Sequence, residues 1–120
     1  MTFMFERLDV YQKSMDFIDD TAALIETFPR GYGYLGNQLA RVSLSIAANL
    51  AEGNGRFTKP DRRNFFTIAR GSVQECIPLL ELASRRGLIN SAQHTALRNH
   101  LEGISRMISG LIKGIEKRAS

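Results

Sequence analysis

The sequence predicts an all-α protein, an antiparallel up-down-up-down bundle of four helices. Three observations carry this. Apolar residues recur at alternating spacings of three and four, with almost no strand-like alternation. Breakers cut the chain into four segments: Pro29 with Gly31, Gly33 and Gly36, then Gly53-Asn54-Gly55, then Gly87. The connections between segments are short enough to make neighbouring helices antiparallel.

Helix 1 is expected over residues 9–28. Its apolar stripe reads Leu8, Tyr11, Met15, Ile18, Ala22, Ile25, and its outer face carries Asp16, Asp19, Asp20 and Glu26, read as a solvated face. Pro29 ends it, because the residue before proline avoids helical geometry. Helix 2 is expected over 34–52, with Leu35, Leu39, Val42 and Ile46 facing inward and Asn49 and Gly53 continuing that line. Helix 3 is expected over 59–85. Thr58 stands at its cap position with Asp61 three residues later, and Pro60 is tolerated in the first turn. Its stripe is Phe65, Ala69, Ser72, Cys76, Leu79 or Leu80, and Ala83, and Pro78 predicts a kink. Helix 4 is expected over 91–117, with Asn90 and Gln93 as a capping box. Its stripe is Leu97, Leu101, Ile104, Ile108, Leu111, Ile115. Gly103, Met107, Gly110 and Gly114 run alongside, and glycines so placed suggest a closely approaching backbone.

At 120 residues the chain suits a single domain, spanning 1–120, that needs no disulfide or metal. Hydrophobic residues at 43% and charged residues at 23% exclude intrinsic disorder. Cys76 is the lone cysteine, which rules out an internal disulfide and a cysteine-rich zinc site, and fits a reducing compartment. No apolar run approaches the roughly 20 residues of a membrane span, and the N-terminus lacks a signal-peptide apolar region. A cytoplasmic protein is expected. The net charge of +4 is uneven. Residues 1–30 hold three basic and six acidic side chains, a net −3, and the remainder is +7. Arginine outnumbers lysine twelve to four, which favours bidentate contact with phosphate or carboxylate.

Four constellations could carry chemistry. Gly31-x-Gly33-x-x-Gly36 matches a dinucleotide-binding fingerprint, but a helix and a proline precede it, not a strand. A helix-to-helix loop is the expected reading, with no cofactor. His94 and His100 lie six apart on different faces, so no local metal pair exists. Asn49, Glu52, Arg70, Ser72 and Glu75 cluster where helices 2 and 3 should meet. They read as a structural polar network, or alternatively as a carboxylate site with Glu52 and Glu75 as acid, base or ligands. A di-metal bundle would supply Glu-x-x-His motifs, and none occurs. Arg56, Lys59, Arg62 and Arg63 surround Phe57 at the second turn, opposed in sequence by Asp61 alone, a net +3 over eight residues. This cluster, with Arg41 assisting, reads as a phosphate-binding end, a solvated cap, or a contact with the acidic face of helix 1 in another subunit.

The stretch Gln38-Leu39-Ala40-Arg41-Val42-Ser43-Leu44-Ser45-Ile46-Ala47-Ala48-Asn49-Leu50-Ala51-Glu52-Gly53 continues with Gly55-Arg56, Phe65, Ile68-Ala69-Arg70-Gly71-Ser72 and Glu75. It resembles the four-helix-bundle family encoded in intervening sequences of bacterial 23S ribosomal RNA genes. Leu8, Tyr11 and Phe28-Pro29 fit the same pattern, with Tyr11 where the family often has Trp, while Pro78 departs from it. The resemblance implies a non-enzymatic homo-oligomer, a ring of five in similar proteins. It is also similar in architecture to the accessory protein of diversity-generating retroelements, a basic bundle associated with nucleic acid. From residues and resemblance together, the expectation is an oligomeric bundle binding RNA or DNA. A scaffold docking an acidic protein partner is the alternative, and a carboxylate enzyme the minor one.

Overall fold

A computed structural model describes residues 2–117. Four helices follow a short 3₁₀ turn over Met4–Arg7: α1 (Asp9–Ile25), α2 (Gly33–Asn54), α3 (Lys59–Arg85) and α4 (Ser91–Lys117). No strand occurs among the described residues. α1 packs on α2, α2 on α3, α3 on α4, and α4 on α1, while diagonal pairs do not meet. This is an antiparallel up-down-up-down four-helix bundle, 51 Å long and 27 by 20 Å across.

The helix ends follow side-chain chemistry. The Thr58 hydroxyl accepts from the Asp61 amide at 3.3 Å, capping α3. At α4 the capping box closes in both directions. Asn90 Oδ1 accepts from the Gln93 amide at 2.7 Å, and Gln93 Oε1 accepts from the Asn90 amide at 2.9 Å. α1 stops at Ile25, three residues early. The Thr27 hydroxyl and amide both donate to the Leu24 carbonyl, at 2.6 and 3.0 Å, which tightens the chain ahead of Pro29. Gly87, at φ +73°, turns the chain between α3 and α4. α3 stays helical through Pro78. Pro78 and Gln74, whose carbonyl loses its partner there, are both exposed, so water can satisfy that group.

The core forms around Phe17, Phe66, Leu39, Ile46, Leu50, Leu80, Leu101, Ile104 and Ile108, all essentially inaccessible to solvent. The inward faces of α2 and α4 match the periodicity, with Ile112 more buried than Leu111. On α3, Phe66 takes the place expected for Phe65.

α1 is the main departure. Its buried seam is Val10, Ser14, Phe17 and Thr21, about one residue of rotation away from the predicted stripe. Ser14 and Thr21 bury at little cost because their hydroxyls donate to the Val10 and Ile18 carbonyls, at 2.7 and 3.0 Å. The predicted stripe, including Tyr11, Met15, Ile18 and Ile25, is left half-buried, and Ala22 is exposed. A second departure concerns α4. A Cβ built at Gly110 or Gly114 would meet nothing within 4 Å, so no backbone among the described residues approaches there.

Candidate functional site

The α2–α3 turn gathers the basic cluster, but each cation finds an intramolecular partner. Arg56 pairs with Glu52 one helical turn earlier, at 2.9 Å, and lies over the Phe65 ring at 4.6 Å. Arg62 donates to the Asn54 carbonyl at 3.2 Å, which ties α3 to the end of α2, and its guanidinium faces Phe66. Arg63 reaches Glu116 of α4 at 3.5 Å. Lys59 is likewise engaged. Glu52 and Glu116 therefore join Asp61 in opposing the four cations, and the local excess falls from +3 to +1. Sequence distance hid Glu116, which α4 delivers from the far end of the chain.

Phe57 stands differently. It is fully exposed at the tip of the turn, between Arg56 and Thr58. Beside it lies an open cleft of about 560 Å³ against the N-terminal turn, lined by Phe5, Ala51, Glu52, Arg56 and Asp61 among others. Phe3 and Met4 are also exposed at this end. Phe5 stacks on Phe3 and meets Tyr11 edge-on at 5.0 Å.

Arg41 is not part of this end. It lies on α2 thirteen residues before the helix ends at Asn54, about 20 Å of helix from the turn. It lines a groove between α2 and α3 with Gln38, Ser45, Gly71, Ser72 and Glu75.

The structure also divides the expected polar network. Ser45 and Ser72 share a hydrogen bond at 2.9 Å, and Ser72 donates to the Ile68 carbonyl at 3.2 Å. Asn49 Nδ2 donates to the Ser45 carbonyl and hydroxyl, at 2.8 and 3.0 Å. This three-residue group cross-links α2 and α3. Arg70 turns the other way, to Ser109 of α4 at 3.2 Å. Glu52 is engaged at the turn, and Glu75 is exposed beside the groove.

The two carboxylates stand apart. Arg56 places Glu52 level with Phe65, and Glu75 is ten residues further along α3, about 15 Å away. They cannot flank one reacting bond. Among the described residues, no three of His, Cys, Asp or Glu converge on a metal position. The Gly31-x-Gly33-x-x-Gly36 segment joins α1 to α2 with no strand before it, so the phosphate-cradling geometry is absent. His100 Nε2 lies 2.9 Å from the Lys13 carbonyl, and the ring packs edge-on against Phe17.

Cys76 is fully buried in the core. Burial pushes its thiol up to about 12, the hydrogen bond with Ser43 opposes this, and the Glu75 charge adds to it. A thiol held neutral is a poor nucleophile. Native protein at pH 8 is expected to resist a disulfide-exchange chromophore such as Ellman's reagent. One thiol per chain should appear only on denaturation, and reaction of the native protein within minutes would contradict the burial.

No helix of the described chain is long and apolar enough to cross a membrane. A search of curated proteins finds no match. Among solved structures, the fold is similar to a protein of unknown function of the S23 ribosomal protein family from Bacteroides thetaiotaomicron. The TM-score is 0.80 at 25% identity, covering 87% of this chain and 95% of that one. Residues 6–110 match the family model described as 23S rRNA-intervening sequence protein. The match takes in the α2–α3 cross-link, the basic turn and most of α4, and on that span the chain belongs to the 23S rRNA-intervening sequence protein family.

Proposed function

We propose that this chain is a non-enzymatic, homo-oligomeric bundle that binds RNA or another nucleic acid at the α2–α3 end. The carrying observation is Phe57, a fully exposed phenyl ring beside Arg56 on a turn rich in arginine. An aromatic held in water at that position offers a stacking surface to an unpaired base. The cations beside it supply phosphate contacts. Their ion pairs with Glu52 and Glu116 do not prevent this. Both pairs are about half exposed, worth little in water, and a guanidinium keeps donors to spare. The separation of Glu52 from Glu75 and the inert Cys76 support a binding role over a catalytic one. A ring of five, as the family resemblance implies, would repeat the turn and multiply weak phosphate contacts.

The test is fluorescence anisotropy with a labelled single-stranded RNA of about 20 nucleotides. With four phosphate contacts per site, affinity is expected to fall roughly fifty-fold between 50 and 200 mM salt. Phe57→Ala is expected to weaken binding about 5- to 150-fold without changing thermal stability, since the ring packs on nothing. An affinity indifferent to both salt and Phe57→Ala would exclude this end as the site.

A further inference from the structure

Helix α1 carries two apolar stripes, and the more apolar one is only half-buried. The buried seam contains Ser14 and Thr21, while Ile18, Ala22 and Ile25 remain at the surface. Those three line a small groove of about 170 Å³ with Ala40 and Leu44 of α2, and Leu44 is 57% exposed. α2 continues this face unusually bare of charge. Arg41 and Glu52 are its only ionic residues in 22. A solvated helix face normally carries more.

The charges bordering this face suggest what covers it. Asp19 and Glu26 lie beside the Ile18–Ile25 stripe, two helical turns apart, and neither forms an ion pair within the described chain. The outer face of α4 has the opposite character. Arg106 and Lys113 are also two turns apart there, with Gly110 between them and no acidic partner among the described residues. A Cβ at Gly110 would meet open space, so the backbone of α4 lies open to a neighbour between these cations.

We propose that the apolar α1–α2 face docks the basic outer face of α4 from a second copy of this chain. The inference rests on the self-association proposed above and assigns the surface that mediates it. Apolar contact through Ile18, Ala22 and Leu44 supplies the attraction, and Asp19 and Glu26 set against Arg106 and Lys113 select the partner face. The two faces are different patches of one chain, so the contact is heterologous, and repetition closes a ring when its rotation divides a full turn.

The test is a charge swap read by light-scattering mass on the full chain at moderate salt, with circular dichroism as a check on folding. Wild type is expected as an oligomer. Asp19→Lys with Glu26→Lys, and separately Arg106→Glu with Lys113→Glu, are each expected to lower the mass to that of one chain. Combining all four should restore the oligomer. Leu44→Asp, at an exposed position, should also give a single chain. An oligomeric wild type whose mass survives Leu44→Asp and both double variants would overturn this interface while leaving self-association intact. Loss in both double variants without restoration in the quadruple would overturn the charge pairing. A wild type that is monomeric throughout would overturn self-association itself, and with it this occupant.

Discussion

Phe17→Ala is expected to destabilise the protein by about 3–5 kcal/mol, a large share of the roughly 5–15 kcal/mol that holds a domain of this size together. Phe17 has no accessible surface and is the largest side chain that α1 places in the core. Ser14 and Thr21 stand on either side of it along the seam, and both are too small to fill the void left by a lost ring. His100 packs edge-on against it at 5.6 Å, so the truncation also strands an imidazole that meets α1 there. Ile18→Ala, on the neighbouring stripe, removes a half-exposed side chain and is expected to cost about 1 kcal/mol in the folding of a single chain. Urea unfolding of both variants decides the matter. Equal losses, or a larger loss at Ile18, would mean that the core lies on the other stripe.

The contrast at α1 shows where periodicity is informative and where it misleads. On α2 and α4 one stripe is far more apolar than any other, so spacing alone picks the core face: Leu39, Val42 and Ile46, then Leu101, Ile104 and Ile108. On α1 two stripes compete. The reading that counts apolar side chains prefers Tyr11, Met15, Ile18 and Ile25. The bundle prefers the stripe with one large ring and two small hydroxyl residues, because small side chains let the helices approach and their hydroxyls bond to their own backbone. Capping was legible because it is local. Thr58 with Asp61, and Asn90 with Gln93, lie within one turn of each other.

The candidate site was legible in composition and not in charge. Arg56, Phe57, Lys59, Arg62 and Arg63 fall together at one turn, as their proximity in sequence requires. Their neutralisation is only partly local: Glu52 lies four residues before Arg56, within reach of a sequence reading, but Glu116 arrives from α4, far along the chain. Arg41, Arg70 and Glu75 are separated for a related reason. Residues on α2 and α3 that fall in one window of sequence pattern point to different seams once the helices pack. Arg70 goes to α4, and Arg41 and Glu75 to the outer groove.

Glycine substitutions in two helices should move stability in opposite directions. In a solvent-facing helix interior, Gly→Ala ordinarily stabilises by about 1 kcal/mol, because alanine gives up less backbone freedom on folding. Gly71 meets that condition, as a Cβ there would touch nothing within 4 Å. Gly71→Ala is expected to stabilise by about that amount. Gly53 does not meet it. A Cβ at Gly53 would lie 2.7 Å from two atoms of the Phe66 ring and 3.1 Å from Phe65 Cβ. Phe66 is 1% exposed, so its ring has nowhere to move, and the overlap must be relieved by separating α2 from α3. Such overpacking costs about 1–3 kcal/mol, which exceeds the gain in helix propensity. Gly53→Ala is therefore expected to be destabilising, and, since both variants share the propensity gain, they should differ by the overpacking cost, about 1–3 kcal/mol, in chemical denaturation. If both stabilise, α2 and α3 do not approach as closely as the ring contact requires. If Gly53→Ala destabilises, then the glycine that follows Glu52 is required by packing, and the Glu52-Gly53 pair needs no bound ligand to account for its glycine.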